Sequence, residues 1–284
     1  MSHTPPASRT AILTAAYRAR HPELCRDPWA AKLAGPEGEA LARRYDQVNP
    51  HAGLYTAVRT AFLDGEVRAA LARGVDQVVL LGAGLDARAA RLGAPGVRFF
   101  EVDRPASQED KLARARAAEG YPLDAATYVP CELGRDDFLA GLEAAGLSAA
   151  RPALVLWEGI TFYLTEEAVR ATLRRVAEGL HPRSALLFDY VEKRLVEGRS
   201  TRPADRELLE LLAAEGEPFR WGTNDVTALL YEEGYRHVRT VSFDQACLSL
   251  TGTWERERAF RFQHLALASR TPPEEVLASG GGGR

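Results

Sequence analysis

A glycine turn followed by an acidic residue is the feature of this sequence with the clearest chemistry. Residues 81–86 (LGAGLD) separate a short apolar run from a stretch with helical periodicity. Gly82 and Gly84 let a ligand approach the backbone closely, and the following helix presents free N–H groups. Asp103 lies 19 residues after Gly84, at the end of the next apolar run, where a carboxylate can accept hydrogen bonds from both hydroxyls of a ribose. This pair predicts a nucleoside-containing cofactor, and by itself it fits NAD enzymes and methyltransferases equally well.

The glycine turn lies among short apolar runs that alternate with helical stretches, and the strands and helices predicted from them must position it. The first run, 78–81, is continuous, which is typical of a strand buried on both faces of a parallel sheet. Strands that alternate with helices predict a doubly wound sheet. Two later segments, 237–243 and 259–269, alternate in polarity and predict an antiparallel pair. Five parallel strands are predicted, at residues 78–81, 97–103, 126–129, 153–157 and 185–190.

The chain before the first strand is predicted to be helical throughout. We therefore predict an N-terminal helical cap over residues 1–74 and a cofactor-binding Rossmann-like domain over 75–279. A polar stretch at about 191–225 is predicted to form a helical lid insert within that domain. Consecutive glycines predict a disordered tail over 280–284.

Composition and charge exclude several classes of protein. The 36 basic and 39 acidic residues give a net charge of −3, which argues against a nucleic-acid partner. The three cysteines are odd in number and far apart, so neither a disulfide framework nor a metal site is predicted. With neither a signal pattern nor a bilayer-length apolar run, the expected location is the cytoplasm, away from the membrane. Monomer and homodimer both stay open.

Four segments make the sequence resemble the leucine carboxyl methyltransferase family, including its bacterial branch that methylates polyketides and other small molecules. They occur in family order along nearly the whole chain, and Arg9-Thr10-Ala11 and Asp27-Pro28 also fit. The resemblance implies S-adenosyl-L-methionine as the cofactor. By analogy with class I methyltransferases, it also implies an α/β fold, a Rossmann-like doubly wound seven-stranded sheet whose last strand is antiparallel. The segments are 58–64 (VRTAFLD), 81–88 (LGAGLDAR), 100–105 (FEVDRP) and 157–164 (WEGITFYL).

The resemblance also implies a role for each cofactor-binding position. Arg59 would bind the methionine carboxylate through a bidentate fork, and Glu158 would pair with the methionine ammonium. Asp103 would accept the ribose hydroxyls. For Asp86 and Arg88 we favour a salt bridge that fixes the loop over direct contact with the ligand. Glu132 and Leu133 would lie beside the adenine, with Glu132 where the family more often has aspartate. The full predicted set is Arg59, Gly82, Ala83, Gly84, Asp86, Arg88, Asp103, Arg104, Glu132, Leu133, Glu158 and Gly159.

In this family the N-terminal helices and the insert cover the cofactor, so they are expected to form the acceptor pocket. Aromatic side chains there suit a flat or apolar acceptor. An ionised carboxylate acceptor needs no general base, whereas a phenol or an alcohol would be helped by one. His51 is the candidate base, and Tyr163 is expected to position the acceptor. The predicted pocket residues are Tyr17, Tyr55, Phe162, Tyr190, Phe219, Arg220 and Trp221.

Three other functions compete with this one. An NAD(P)-dependent oxidoreductase of this type would need a Tyr-x-x-x-Lys pair or a separate catalytic domain, and Tyr190-x-x-Lys193 has the wrong spacing. The presence of every cofactor position disfavours a non-catalytic cofactor-binding module, and the acidic pI disfavours an RNA methyltransferase. The sequence therefore predicts an O-methyltransferase for a small-molecule acceptor, a carboxylate of a polyketide-like or other secondary metabolite. A phenolic or alcohol hydroxyl is the alternative, and a protein C-terminal leucine is also open.

Overall fold

A seven-stranded sheet is the framework of residues 8–253 and 261–272, the part of the chain that the computed structural model describes. The strand order is β3-β2-β1-β4-β5-β7-β6, and β7 runs antiparallel to both of its neighbours. The predicted α/β fold class, with its antiparallel last strand, is confirmed. The strands are β1 Gln77–Leu81, β2 Arg98–Asp103, β3 Ala126–Pro130, β4 Leu154–Trp157, β5 Ala185–Val191, β6 His237–Ser242 and β7 Gln263–Ser269.

The last two strands pair as predicted, but they do not form a simple hairpin. Strand β7 lies between β5 and β6, with Ser269 opposite Ala185 on one side and opposite His237 on the other. Helix α12, Phe243–Thr251, intervenes between them and packs against the sheet. Ser242 begins this helix with a capping box.

Four helices precede the sheet. Ser8 caps the first of them by accepting a hydrogen bond from the Ala11 N–H, and Pro22 begins the second at a position where its missing N–H costs nothing. The fourth packs directly on the sheet, because Val58 and Val67 join the apolar cluster that contains Val78 of β1. The helices are α1 Arg9–Arg20, α2 Pro22–Cys25, α3 Ala30–Asp46 and α4 Ala52–Ala72.

Side-chain alternation along the strands builds an apolar core on each face of the sheet. Val79 and Trp157 face one layer of helices, and Val78 and Leu156 face the other. No helix within residues 8–253 and 261–272 is long and apolar enough to cross a bilayer. The predicted tail at 280–284 lies outside the described residues. The remaining helices are α5 Arg88–Leu92, α6 Pro105–Ala117, α7 Phe138–Ala144, α8 Glu166–Gly179, α9 Lys193–Val196, α10 Pro203–Ala214 and α11 Val226–Glu232.

Candidate functional site

A cavity of about 590 Å³ opens at the carboxyl ends of the parallel strands. Residues that directly follow β1 to β4 line its floor, which is where open α/β sheets bind ligands. Helix α1, helix α10 and the loop 215–220 cover it. The structure brings seventeen of the predicted residues together on its wall, namely Tyr17, Tyr55, Arg59, Gly82, Ala83, Gly84, Asp86, Asp103, Arg104, Glu132, Leu133, Glu158, Gly159, Phe162, Tyr163, Phe219 and Arg220.

The glycine turn is shaped by its neighbours. Gly82 and Gly84 have φ values of +68° and +47°, a region that other residues rarely adopt. A Cβ at Gly82 would lie 2.5 Å from the Ile160 side chain. The Gly84 N–H donates to one carboxylate oxygen of Asp103 at 2.6 Å, and the Arg104 N–H donates to the other at 2.7 Å. The turn thus holds the carboxylate at the end of β2 in one orientation.

Arg59 is held on two sides and leaves one nitrogen uncommitted. Its Nε donates to Glu158 at 2.8 Å, and its Nη1 donates to Asp189 at 2.8 Å. Burial disfavours the charged form, but nearby groups, among them these two carboxylates, raise the pKa of Arg59 well above its ordinary value. Its Nη2 donates to no described residue, and it would lie 3.4 Å from a Cβ at Gly159. One edge of the Arg59 guanidinium is therefore free beside Gly159, where the φ of +70° and not a lack of space favours glycine.

Asp189, near the end of β5, joins three parts of the site. It is 1% exposed, and it accepts the Gly159 N–H at 2.6 Å and the Tyr55 hydroxyl at 3.2 Å, in addition to Arg59. Its backbone carbonyl accepts the Thr161 hydroxyl at 2.7 Å. Burial raises the pKa of Asp189, and the Arg59 guanidinium opposes this rise. One carboxylate therefore connects α4 with the loop after β4.

A second arginine lies beneath the cavity rather than on its wall. Arg88 is 2% exposed and donates to Asp64 at 2.7 Å, to Glu158 at 2.6 Å and to Asp86. Burial disfavours both ionised acids near the cavity, but Arg88 and neighbouring cations lower the pKa of Asp86 to about 2 and also lower that of Glu158. Because Asp64 lies on α4, this network ties the glycine turn to the helix that carries Arg59.

Four predicted site residues do not line the cavity. His51 directly precedes α4 and faces elsewhere. Tyr190 stacks on His264 with ring centroids 5.3 Å apart, on the face of the sheet opposite to Asp189. Trp221 is 4% exposed within the same apolar core. Arg88 does not reach the cavity wall, because its guanidinium forms ion pairs with three carboxylates beneath the glycine turn. In the folded protein these side chains contact other parts of the chain and not the cavity.

Three aromatic rings lie together at the wall of the cavity. Phe162, Tyr163 and Phe219, here called the aromatic wall, have centroids between 4.4 and 5.4 Å apart. Beside it, Glu217 accepts the Ser8 hydroxyl at 2.6 Å, which connects the start of α1 with the loop after α10. Arg220 is exposed at the cavity and has no ion-pair partner among the described residues.

Several polar residues of this site were not predicted from the sequence, and Asp189, Glu217 and Gln263 are the ones with the clearest chemistry. Asp189 carried a readable signal, because it is an acid near the end of a predicted strand, the same position that identified Asp103. Glu217 and Gln263 carried none, since each lies in a segment without a motif and reaches the cavity only through folding.

Comparison with known proteins relates much of this chain to one family and to several relatives. Residues 7–177 match the leucine carboxyl methyltransferase family. A Streptomyces coelicolor relative, whose name is that of an S-adenosyl-L-methionine-dependent methyltransferase, is 40% identical over 185 residues, covering 60% of this chain and 64% of that protein. A Parafrankia relative with the same kind of name is 37% identical over 218 residues, covering 69% and 68%. The matched part of the chain thus spans 64% and 68% of the length of these two relatives, and between 44% and 58% of the length of four others with the same kind of name.

A solved structure shows that the similarity extends to the fold of nearly the whole chain. A duf574 family protein from Streptomyces avermitilis superposes with a TM-score of 0.66 over 93% of this chain and 98% of that one, at 15% identity. At this identity the likeness establishes the fold alone. The sequence match covers well over half of the chain, so the protein belongs to the leucine carboxyl methyltransferase family.

Proposed function

We propose that this protein transfers a methyl group from S-adenosyl-L-methionine to an oxygen atom of a small molecule. We further propose that this oxygen belongs to a carboxylate of a polyketide-like or other secondary metabolite. One observation carries the proposal: the cavity joins the cofactor positions to the aromatic wall, and no described lining residue is a histidine. A cytoplasmic location and the choice between monomer and homodimer stay predictions from the sequence.

The residues present fit this cofactor. The free Nη2 of Arg59 can donate to a methionine carboxylate, and Glu158 can accept from the adjacent ammonium. Asp103 is already oriented by two backbone N–H groups, and each of its oxygens keeps a lone pair for a ribose hydroxyl. Glu132 and Leu133 line the cavity beyond the third strand, where the adenine is expected. The cofactor, when bound, supplies a methyl group activated by its sulfonium.

The protein's own contribution is orientation and the exclusion of water. Alignment of the acceptor oxygen with the methyl group gains most when both are held in a closed site. Helix α1 and the loop 215–220 cover part of this cavity. Burial raises the pKa of Tyr163, so its phenol stays neutral and can donate a hydrogen bond to the acceptor.

Two features favour a carboxylate acceptor. A carboxylate is ionised at neutral pH, with an ordinary pKa of about 4, so it can attack without a base. Arg220 offers an uncommitted guanidinium at the cavity that suits an anionic molecule. The lack of a histidine among the described lining residues is consistent with a reaction that needs no proton transfer.

One observation favours a hydroxyl acceptor as the alternative. Glu217 lines the cavity beside the aromatic wall, and its carboxylate could take the proton of a phenol or an alcohol. Glu217→Gln keeps the size of the side chain and removes this capacity. The variant should lower methyl transfer to a hydroxyl by about 100-fold and leave transfer to a carboxylate nearly unchanged.

Calorimetric titration with S-adenosylhomocysteine and with NAD tests the cofactor. We expect micromolar binding of the former, lost in Arg59→Ala and in Asp103→Ala. Arg151→Ala and Asp76→Ala, which remove the two partners of an exposed ion pair, serve as matched controls and should bind normally. Binding of NAD instead would favour an oxidoreductase. Binding of neither ligand would refute the proposal.

The acceptor is tested by methyl transfer to a panel of carboxylic acids and phenols with a labelled methyl group. A methyl ester releases its label in mild base, whereas a methyl ether does not. Base-labile product would support a carboxylate acceptor, and base-stable product would support the hydroxyl alternative. Cofactor binding without transfer to any acid or phenol would favour a non-catalytic module.

A further inference from the structure

Gln263 carries a buried polar group that nothing in the described chain satisfies. Its side chain lines the cavity and is 9% exposed, yet its Oε1 is buried with no hydrogen-bond partner. Its Nε2 donates to no described residue either. Buried amides are almost always paired, because an unpaired one costs about 1–3 kcal/mol. The Oε1 atom itself has almost no exposed surface, so a ligand in the cavity pairs with this amide through Nε2 or after the amide turns toward the cavity.

The position of Gln263 assigns it to the acceptor rather than to the cofactor. It is the first residue of β7, opposite Val191 of β5, and so lies beyond the strands that end in the cofactor positions. The neighbouring Phe262 and Val191 belong to the same apolar cluster as Phe162 of the aromatic wall. Gln263 thus places an amide at the apolar end of the cavity.

We propose that Gln263 recognises the acceptor through a hydroxyl group other than the atom that receives the methyl. A hydroxyl is the complement of a primary amide, since it donates to Oε1 and accepts from Nε2. Together with the aromatic wall, this specifies a flat, largely apolar acid that carries a hydroxyl. The inference rests on the proposed function and adds to it the acceptor class.

Matched pairs of aromatic acids test this assignment. The probes are 2-naphthoate and hydroxynaphthoates with the hydroxyl at different ring positions, assayed by base-labile methyl transfer. We expect at least one hydroxylated acid to exceed its parent in kcat/KM by about tenfold or more, the size of one hydrogen bond at a desolvated site. Gln263→Leu should abolish this advantage and leave the parent acid unaffected.

Three controls separate recognition from structure. His264→Leu changes the next residue, whose side chain stacks on Tyr190 away from the cavity, and should keep the preference. Gln263→Glu retains an acceptor oxygen and should keep the ratio between hydroxylated and parent acid, but it should lower kcat/KM for both because it adds a negative charge beside an anionic acceptor. Gln263→Leu should bind S-adenosylhomocysteine normally and unfold at the same or a higher temperature, because it removes an unsatisfied group without opening a cavity.

The outcomes are distinct for the two proposals. Equal turnover within every pair, or a preference that survives in Gln263→Leu, would overturn the role of Gln263 while leaving the transfer to carboxylates intact. A loss of melting temperature in Gln263→Leu with an unchanged preference would assign the residue a purely structural role. No transfer to any acid or phenol by a protein that binds the cofactor product would refute the proposed function and this inference with it.

Discussion

Asp189→Asn is the substitution that tests the assembly of the site most directly. The two oxygens of the carboxylate serve different partners: one accepts the Gly159 N–H at 2.6 Å, and the other accepts Arg59 at 2.8 Å and Tyr55 at 3.2 Å. Asparagine has one oxygen and can serve only one side. Whichever orientation it adopts, its NH₂ group faces a donor.

The magnitude follows from the contacts that remain. When the asparagine oxygen faces the Gly159 N–H, Arg59 keeps its hydrogen bond to Glu158 and loses the charge-assisted one to residue 189. Such a bond contributes about 1.5–3 kcal/mol, which corresponds to roughly 10- to 100-fold in a dissociation constant. We expect the Kd for S-adenosylhomocysteine to rise by this factor in calorimetry, because Arg59 is the proposed carboxylate ligand. The free energy of unfolding should fall by about 3 kcal/mol.

Glu233→Gln is the matched control. Glu233 is another buried carboxylate, 3% exposed, on the far side of the sheet from α4. It accepts a hydrogen bond from Arg170 at 2.8 Å and forms an ion pair with Arg174 at 2.8 Å. Its loss should also lower the free energy of unfolding and leave the Kd unchanged. Unchanged binding and stability in Asp189→Asn would mean that the carboxyl is neutral and replaceable by an amide, and the account of Arg59 given above would be wrong.

Two further substitutions test the glycine turn. Gly82→Ala should lower the free energy of unfolding by about 2–4 kcal/mol in urea and abolish S-adenosylhomocysteine binding, because its Cβ meets Ile160 at 2.5 Å in addition to the unfavourable φ. Gly96→Ala is the control, because Gly96 also has a positive φ, +83°, but has open space around it, and it should lower the free energy of unfolding by only about 1 kcal/mol. An equal loss of stability in the two variants would contradict the clash with Ile160. The pKa of Asp86 is lowered to about 2 from an ordinary 3.8. Its ionised form therefore stabilises the folded protein by about 2 kcal/mol above pH 4, and this stabilisation is lost as the pH falls toward 2. Asp86→Asn should therefore show a shallower loss of stability between pH 4 and 2 in urea titrations, whereas parallel curves would show that Arg88 does not stabilise the charge.

Local patterns were sufficient to predict the α/β fold class and to single out several residues that the structure brings together on one cavity. The glycine turn, the apolar runs and Asp103 are each readable within a few residues, because a tight turn needs glycine and a buried strand needs apolar side chains. The carboxyl ends of parallel strands meet at one edge of a sheet, so polar residues placed there could be assigned to one site without coordinates. Twelve of the seventeen predicted residues on the cavity wall end or follow β1 to β4 and obey that rule. The other five were assigned through the family resemblance and lie on α1, α4 and the loop 215–220, namely Tyr17, Tyr55, Arg59, Phe219 and Arg220.

Hydrogen bonds and ion pairs between distant segments could not be predicted from local sequence patterns. Arg59 and Asp189 are 130 residues apart, and Ser8 and Glu217 are 209 apart, with no motif at either end of the second pair. Their contacts exist because α4 and α1 fold back over the sheet, and the packing that places these helices is spread over many apolar residues. A single sequence does not state which of its charges such packing will bring together.

Two neighbouring residues of β5, Asp189 and Tyr190, show most clearly which features follow from the sequence and which depend on tertiary packing. The sequence alone determined that this strand is buried and that it ends near the ligand site. It did not determine that Asp189 faces α4 and Arg59 while Tyr190 faces the opposite core. Successive side chains of a strand point to opposite faces, and in a sheet covered by helices on both sides each face is apolar. The hydrophobic pattern therefore carries no sign of which face meets the cavity, and only the three-dimensional packing of α4 decides it.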